Sequence, residues 1–314
     1  MAELHLHLDG IPNPDNSGTD TELSKQLKDL FPVTTTEGFS KWWKIIDSKY
    51  AGNLKIFFPI MENHITSLRN QGACYVEIMV SKSEMAKDYG VITAEFEELR
   101  HKTGLLENNQ IQVEFIICLG RNKSPEILAE QAERVLYLYK KGFVCGVALA
   151  GPEDGYPVKP FRKTFEKFKD SGIGIEIHAG EWSGPESVWD AIENGFPERI
   201  GHGLSAFRDE KLIDYIIEKN IHIEFCPSSN MALTAYKKLK EHPIGTAIKR
   251  KMNFSINTDD PGPLGCSLEH EFDLVRNAFG MDPAQEREIL KNTLKAGFCK
   301  KFRYKNTKEV MELH

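Results

Sequence analysis

The chain has 314 residues, with 40 Lys plus Arg against 46 Asp plus Glu, for a formal net charge of −6. At 40% hydrophobic and 27% charged it is too apolar for a disordered polymer and ordinary for a globular one. A pI near 6.0 argues against a nucleic-acid polymer as partner, because phosphate-binding domains are usually basic.

No apolar run reaches the roughly 20 residues of a membrane helix, and the opening Met-Ala-Glu-Leu-His does not read as a signal peptide. Six cysteines (Cys74, Cys118, Cys145, Cys226, Cys266, Cys299) are scattered with no Cys-x-x-Cys pair, so neither a disulfide framework nor a cysteine zinc site is indicated. Free thiols fit a reducing compartment. The expectation is a cytoplasmic enzyme with no membrane partner.

In chain order there is no repeated period, but a short apolar run followed by a helical pattern recurs. A short apolar run at residues 3–9 is followed by others at 74–80, 113–120, 144–151, 174–178, 199–202, 221–226 and 253–259, each the length of a buried strand. Helical patterns occupy 125–139, 160–170, 186–193, 209–219 and 283–296. Strands alternating with helices predict a parallel sheet. Eight such units predict an α/β fold, a (β/α)8 TIM-type barrel forming a single domain over residues 1–314. A doubly wound open sheet competes, but no Gly-x-Gly-x-x-Gly follows any run.

The connection from the first run to the second is about twice as long as the others, room for extra helices forming a lid over the barrel mouth. Within it, the segment from Thr36 to Tyr50 carries Phe39, Trp42, Trp43 and Ile46 as an i, i+3, i+4, i+7 stripe. That stripe either packs into the core or offers aromatics to a flat ligand. Ahead of it, Pro12, Pro14, Asn16, Ser17 and Gly18 predict a surface loop over 11–21.

His5 and His7 sit two apart, so a strand aims both imidazoles at one face. One His-x-His pair is weak evidence alone. Three further groups fall at the carboxyl ends of predicted strands, where barrel active sites lie: His178-Ala-Gly-Glu181, Gly201-His202-Gly203 and Asn257-Thr-Asp259-Asp260-Pro261. Their coincidence outweighs the bland reading of each as a structural histidine or a turn. His5, His7, His178 and Asp259 make a nitrogen-rich donor set suited to one Zn2+ with room for a water, whose pKa zinc lowers to about 7. Glu181, beyond a glycine that permits a sharp turn, stands where a general acid or base belongs. His202 is placed to orient the hydroxide and Asp260 to accept a hydrogen bond from substrate. Cys226, His222 and His242 read as structural, with His64, His101, His270 and His314 on helices or the surface.

These motifs, with Leu4-His-Leu-His-Leu-Asp9-Gly10, Arg199-Ile-Gly-His202 and Cys226-Pro227, resemble in order and over most of the chain the adenosine deaminase family of metal-dependent aminohydrolases. The resemblance implies the barrel fold, one zinc per chain and hydrolytic loss of ammonia from purine C6. It makes His5, His7, His178 and Asp259 the metal ligands and Glu181 the proton donor to ring N1. It has His202 position the hydroxide and Asp260 hold N7. Gly151 offers its backbone N–H to N3, Asp9 meets the sugar 5′-hydroxyl, and Phe39 and Trp43 match the aromatic pair of the lid.

The chain departs from the family pattern in a shortened segment after Gly10, in Ala148 where an aspartate is usual and in Met79 where an arginine is usual; both substituted positions are expected in the shell around the site. The reaction expected is adenosine or 2′-deoxyadenosine to inosine or 2′-deoxyinosine plus ammonia. The alternatives are a related 6-aminopurine (adenine, a 5′-substituted adenosine or N6-methyl-AMP) or a weakly active nucleoside-binding barrel. In each, the partner is a small purine.

Overall fold

The computed structural model describes residues 1–15, 21–50, 54–81, 88–108 and 110–304. Eight strands form where the apolar runs fall: β1 (Ala2–His7), β2 (Tyr75–Ser81), β3 (Gln112–Gly120), β4 (Gly146–Ala150), β5 (Gly174–Ala179), β6 (Arg199–His202), β7 (His222–Phe225) and β8 (Phe254–Ile256). Each pairs in parallel with the next in chain order. His7 N–H donates to Asp259 O at 2.9 Å and Asp259 N–H to His5 O at 3.0 Å, which brings β8 back to β1 and curls the sheet into a barrel.

Three helices, α1 (Thr21–Lys28), α2 (Thr36–Tyr50) and α3 (Leu54–Asn70), fill the long β1–β2 connection. The helices α4 (Tyr89–Glu107), α5 (Pro125–Lys140), α6 (Arg162–Ser171), α7 (Pro185–Gly195) and α8 (Glu210–Glu218) follow β2 to β6 in turn. After β7 come α9 (Pro227–Leu233) and α10 (Ile244–Arg250). After β8 come α11 (Pro261–Leu264), α12 (Leu268–Phe279) and α13 (Pro283–Ala296). None of the described helices is long and apolar enough to cross a membrane.

Alternation sorts each strand into two faces. Val76, Ile78 and Val80 of β2, Val113, Phe115 and Ile117 of β3, and Ile175 and Ile177 of β5 belong to the core under the helices, each contributing about 1.5–3 kcal/mol when fully buried. Their neighbours face the barrel axis, and there the interior is largely polar: Glu3, Glu77, Glu114, Glu176, Arg199, Glu224 and Asn257 are all buried. Among them Met79, Ile116 and Ala148 form a small apolar layer.

The amino-terminal end of the barrel is stoppered by the chain following α13. Phe298 lies against Gly146 and Gly174, where any Cβ would run into its ring, and the Arg199 guanidinium stacks on it at 3.5 Å.

Two expectations shift. The outer strands end earlier than the apolar runs, because Leu8–Gly10 winds into a 3-10 turn and Asp259 takes a positive φ of 64°. The stretch after Gly10 does not begin at the surface: Ile11, Pro12 and Pro14 are buried. Its Pro12 carbonyl packs where a side chain at Gly262 would stand. Residues 16–20 of that predicted loop, like His314, lie outside the described residues.

Candidate active site

The carboxyl ends of the strands surround a cavity of about 760 Å³, within the roughly 300–1,000 Å³ of small-molecule sites. His7, Asp9, Phe39, Trp43, Gly151, His178, Glu181, His202, Asp259 and Asp260 all line it. His5 lies just beneath, fully buried, with its ring centroid 4.5 Å from that of His178. All eleven residues singled out in the sequence therefore converge.

The aromatic stripe of α2 divides by face. Trp42 and Ile46 are buried in the core, while Phe39 and Trp43, edge to face at 5.9 Å, turn to the cavity. The core-packing reading accounts for Trp42 and Ile46, and Phe39, while lining the cavity, also packs against that core.

The histidine–aspartate cluster is built from strand ends. His7 Nε2 faces His178 Nε2 at 3.2 Å, and Asp259 Oδ1 stands 3.4 Å from Nε2 of both His5 and His7. His5 Nε2 is buried with no hydrogen-bond partner. On the far side of these rings His5 Nδ1 meets Glu224 at 2.7 Å and His178 Nδ1 meets Glu176 at 3.1 Å. Carboxylates there fix the hydrogen on Nδ1 and turn a lone pair inward, as metal-ligating histidines require. Converging lone pairs beside a carboxylate are unfavourable unless a cation sits among them, so these residues fit a divalent ion. Ligand atoms of His5, His178, His202 and Asp259 also lie within 4.8 Å of one another, so distance alone does not choose between His7 and His202.

Burial lowers His7 and His202 to about 4, and burial with the neighbouring His5 lowers His178 further, so these rings are neutral near pH 7. Burial, reinforced by the charges of Asp259 and Glu153, raises the Glu181 carboxyl well above the ordinary range. Burial with Asp259 and Asp9 does the same to Asp260. An upward shift is the direction a general acid needs.

Local backbone places these groups. Alternation along β6 would put His202 on the face of Ile200; a positive φ of 63° instead brings its ring within 5.2 Å of His178. Left-handed backbone is uncommon outside glycine and clusters at functional sites. Gly180, at φ 71° and pressed against Ser205 and Val188, turns the chain after β5 so that Glu181 enters the cavity 3.6 Å from His202 Nε2. Gly10 leaves the room that the Asp260 carboxylate occupies.

Sequence reading missed the supports. Glu153 accepts the backbone N–H groups of Gly180, Glu181 and Trp182 at 2.6, 2.8 and 2.9 Å and the Ser187 hydroxyl. It pins the turn that carries Glu181. Glu224 and Glu176 were legible only as charges inside apolar runs. Asn230 and His242 stand behind His202, linked at 3.0 and 3.1 Å. Met79 and Ala148 are not lining residues of the cavity; they pack together with Ile116 in the apolar layer.

The fold and this histidine–carboxylate cluster define a barrel hydrolase of the metal-dependent class. The adenosine deaminase family model matches residues 1–312, and the chain belongs to that family, a family of purine aminohydrolases. The adenosine deaminase of Photorhabdus laumondii is 30% identical over 318 residues, covering 95% of this chain and 93% of that protein. That of Yersinia pseudotuberculosis is 32% identical over 315 residues, with the same coverage. Among solved structures, adenine deaminase from Arthrobacter aurescens superposes with a TM-score of 0.84 at 20% identity over 99% of this chain and 97% of that one. An Arabidopsis N6-mAMP deaminase gives 0.81 at 18% over 99% and 96%. At such identities the likeness is one of fold.

Proposed function

We propose that this chain, acting as one barrel domain, is a zinc-dependent deaminase that converts adenosine and 2′-deoxyadenosine to inosine and 2′-deoxyinosine with release of ammonia. The observation that carries the reading is Glu181: a carboxyl buried beside the imidazole cluster, pushed upward in pKa by that burial, its backbone clamped by Glu153.

His5, His7, His178 and Asp259 would hold the ion, and three nitrogens with one oxygen favour zinc. When bound, zinc supplies the acidity that makes water a nucleophile near neutral pH. Glu181 delivers its proton to ring N1 as oxygen adds at C6, which removes aromatic stabilisation at the carbon under attack. His202 steadies the attacking oxygen. The exocyclic amine then leaves as ammonia, taking up a proton that came from the water. Asp260, its carboxyl pushed upward by burial, would hold N7 as a hydrogen-bond donor, not as the acceptor the sequence suggested, because N7 has only a lone pair to offer. Gly151, at a positive φ of 107°, exposes its N–H toward N3. Asp9 meets the sugar, and Phe39 and Trp43 cover the ring. Free, scattered cysteines fit a cytoplasmic setting.

The test is ammonia release by zinc-loaded protein from adenosine, 2′-deoxyadenosine, adenine, 5′-substituted adenosines and N6-methyl-AMP. Preference for the two nucleosides is expected. Turnover of none of them, with nucleoside binding retained, defeats the enzymatic reading. Metal analysis after reconstitution with zinc, cobalt or manganese tests the choice of ion.

A further inference from the structure

We propose that Asn230 and His242 are positioning residues that lock His202 in its Nε2–H tautomer, so that it meets the attacking oxygen as a hydrogen-bond donor and stays out of the metal's coordination. The inference rests on the deaminase reading for its purpose, though not for its geometry.

The chain of donors starts at a group with no choice. Ile244 N–H can only donate, and it donates to His242 Nδ1 at 3.1 Å. A neutral His242 then carries its hydrogen on Nε2, which lies 3.1 Å from Asn230 Oδ1. That oxygen also receives Cys226 N–H at 3.4 Å, so two independent donors fix the amide's orientation. Its Nδ2 is left to donate, and 3.0 Å away stands His202 Nδ1. His202 must accept there, and a neutral ring that accepts at Nδ1 holds its hydrogen on Nε2.

Asn230, His202 and His242 are between 0% and 2% exposed, so no water rescues a mismatched pair. The opposite tautomer would set two donors face to face in a site sealed from solvent, which is strongly disfavoured.

The partner of the outer nitrogen distinguishes His202 from His5 and His178, which distance alone does not. Behind His5 and His178 stand carboxylates, which take Nδ1–H and leave Nε2 free to ligate. Behind His202 stands an amide N–H, which takes the lone pair and leaves a hydrogen on Nε2, directed to the cavity and Glu181. An Nε2 that carries hydrogen has no lone pair for an ion, and the Nδ1 lone pair is taken by Asn230. One rule, read from the outer nitrogen, excludes His202 from the ligands and leaves the third nitrogen to His7.

The tautomer is directly measurable. In protein labelled with 15N-histidine, long-range 1H–15N spectra of the metal-free and zinc-loaded forms, with His202 assigned by loss of its signals in His202→Gln, should show a protonated Nε2 and an unprotonated Nδ1 in both. Asn230→Leu and His242→Leu should each lose the single tautomer and lower kcat about 10–100-fold, with KM and bound zinc little changed. His242→Gln, able to accept from Ile244 and donate to Asn230, should recover the tautomer and most of the kcat lost in His242→Leu. A wild-type His202 protonated at Nδ1, or leucine variants that keep both the tautomer and full kcat, would overturn the proposal. Should the leucine variants fail to fold, the wild-type spectrum decides alone. No substrate is needed for it: the expected tautomer in a protein inert toward every purine refutes the deaminase and leaves the lock, whereas the wrong tautomer in an active deaminase refutes the lock.

Discussion

The two ends of this barrel treat their charged groups oppositely. At the amino-terminal end opposite charges are matched. Arg199 lies 2.6 Å from both Glu77 and Glu224, and Arg100 and Arg303 bracket Glu114 at 2.8 and 2.5 Å. At the carboxyl end like groups are crowded: four imidazoles with Glu181, Asp259 and Asp260, where His5 Nε2 and Asp260 Oδ1 are buried without hydrogen-bond partners. Matched charges offset much of one another's desolvation, and removing one partner is costly; crowded like groups have no such partner until a ligand arrives. The stoppered end holds the barrel together, and the crowded end is kept for chemistry.

The sharpest way to break that contrast is Glu181→Gln. A group held for chemistry should be removable without harm to the fold. Turnover should fall about 10²–10⁴-fold, with thermal midpoint and bound metal unchanged. A large drop in melting temperature would make Glu181 structural and erase the difference between the ends. Glu153→Gln probes the border between the two roles. Its carboxylate holds three backbone N–H groups, and a displacement of about 1 Å in the turn it pins is enough to cost roughly 10²-fold in kcat. Because those donors lose a good acceptor, stability should also fall by about 1–3 kcal/mol, so both a melting curve and a kcat measurement should respond.

The division between ends is only partly legible in sequence. Strand positions and the histidines at their ends are local properties, carried by alternation and by spacings such as His5-x-His7 or His178-x-x-Glu181. The stopper is not: Phe298 meets Gly146 and Gly174 from more than a hundred residues away, and no local pattern marks a phenylalanine as the plug of a barrel. The same holds for Asn230 and His242, whose importance lies in which atom of a distant ring they touch. His202 shows a subtler limit, since strict alternation would turn it outward and only its left-handed backbone returns it to the cavity.

Phe298→Ala tests the stoppered end. It removes a ring seated on two glycines and under the Arg199 guanidinium, and should cost about 3 kcal/mol, toward the low end for buried aromatics because Phe298 is half-buried. Urea unfolding reads that loss directly. At temperatures well below the transition kcat should stay near the wild-type value, the mirror image of Glu181→Gln. A fall in kcat as large as that of Glu181→Gln would mean that the stopper acts on the site through Arg199, Glu224 and His5.

The smallest effect expected is one of pH. Against its burial, the guanidinium groups of Arg100 and Arg303 hold the Glu114 carboxyl below its ordinary value. The unfolded chain therefore takes up a proton at this position before the folded one does. The stability gained from the pairing is complete above the ordinary glutamate pKa and is lost as pH falls through the lowered folded value. Arg303→Met removes one of the two cations and brings the folded pKa back toward the unfolded one. The variant should be less stable by on the order of 1 kcal/mol at neutral pH, and the gap should close as the pH falls through that acid window, because protonated Glu114 has no charge left to pair. Urea midpoints for both proteins across the window read the convergence. A gap that stays constant to low pH would assign the Arg303 contribution to packing and to its hydrogen bond with the Val113 carbonyl, and the matching of charge at this end, to Glu107 as well as Glu114, would then count for less than the filling of space.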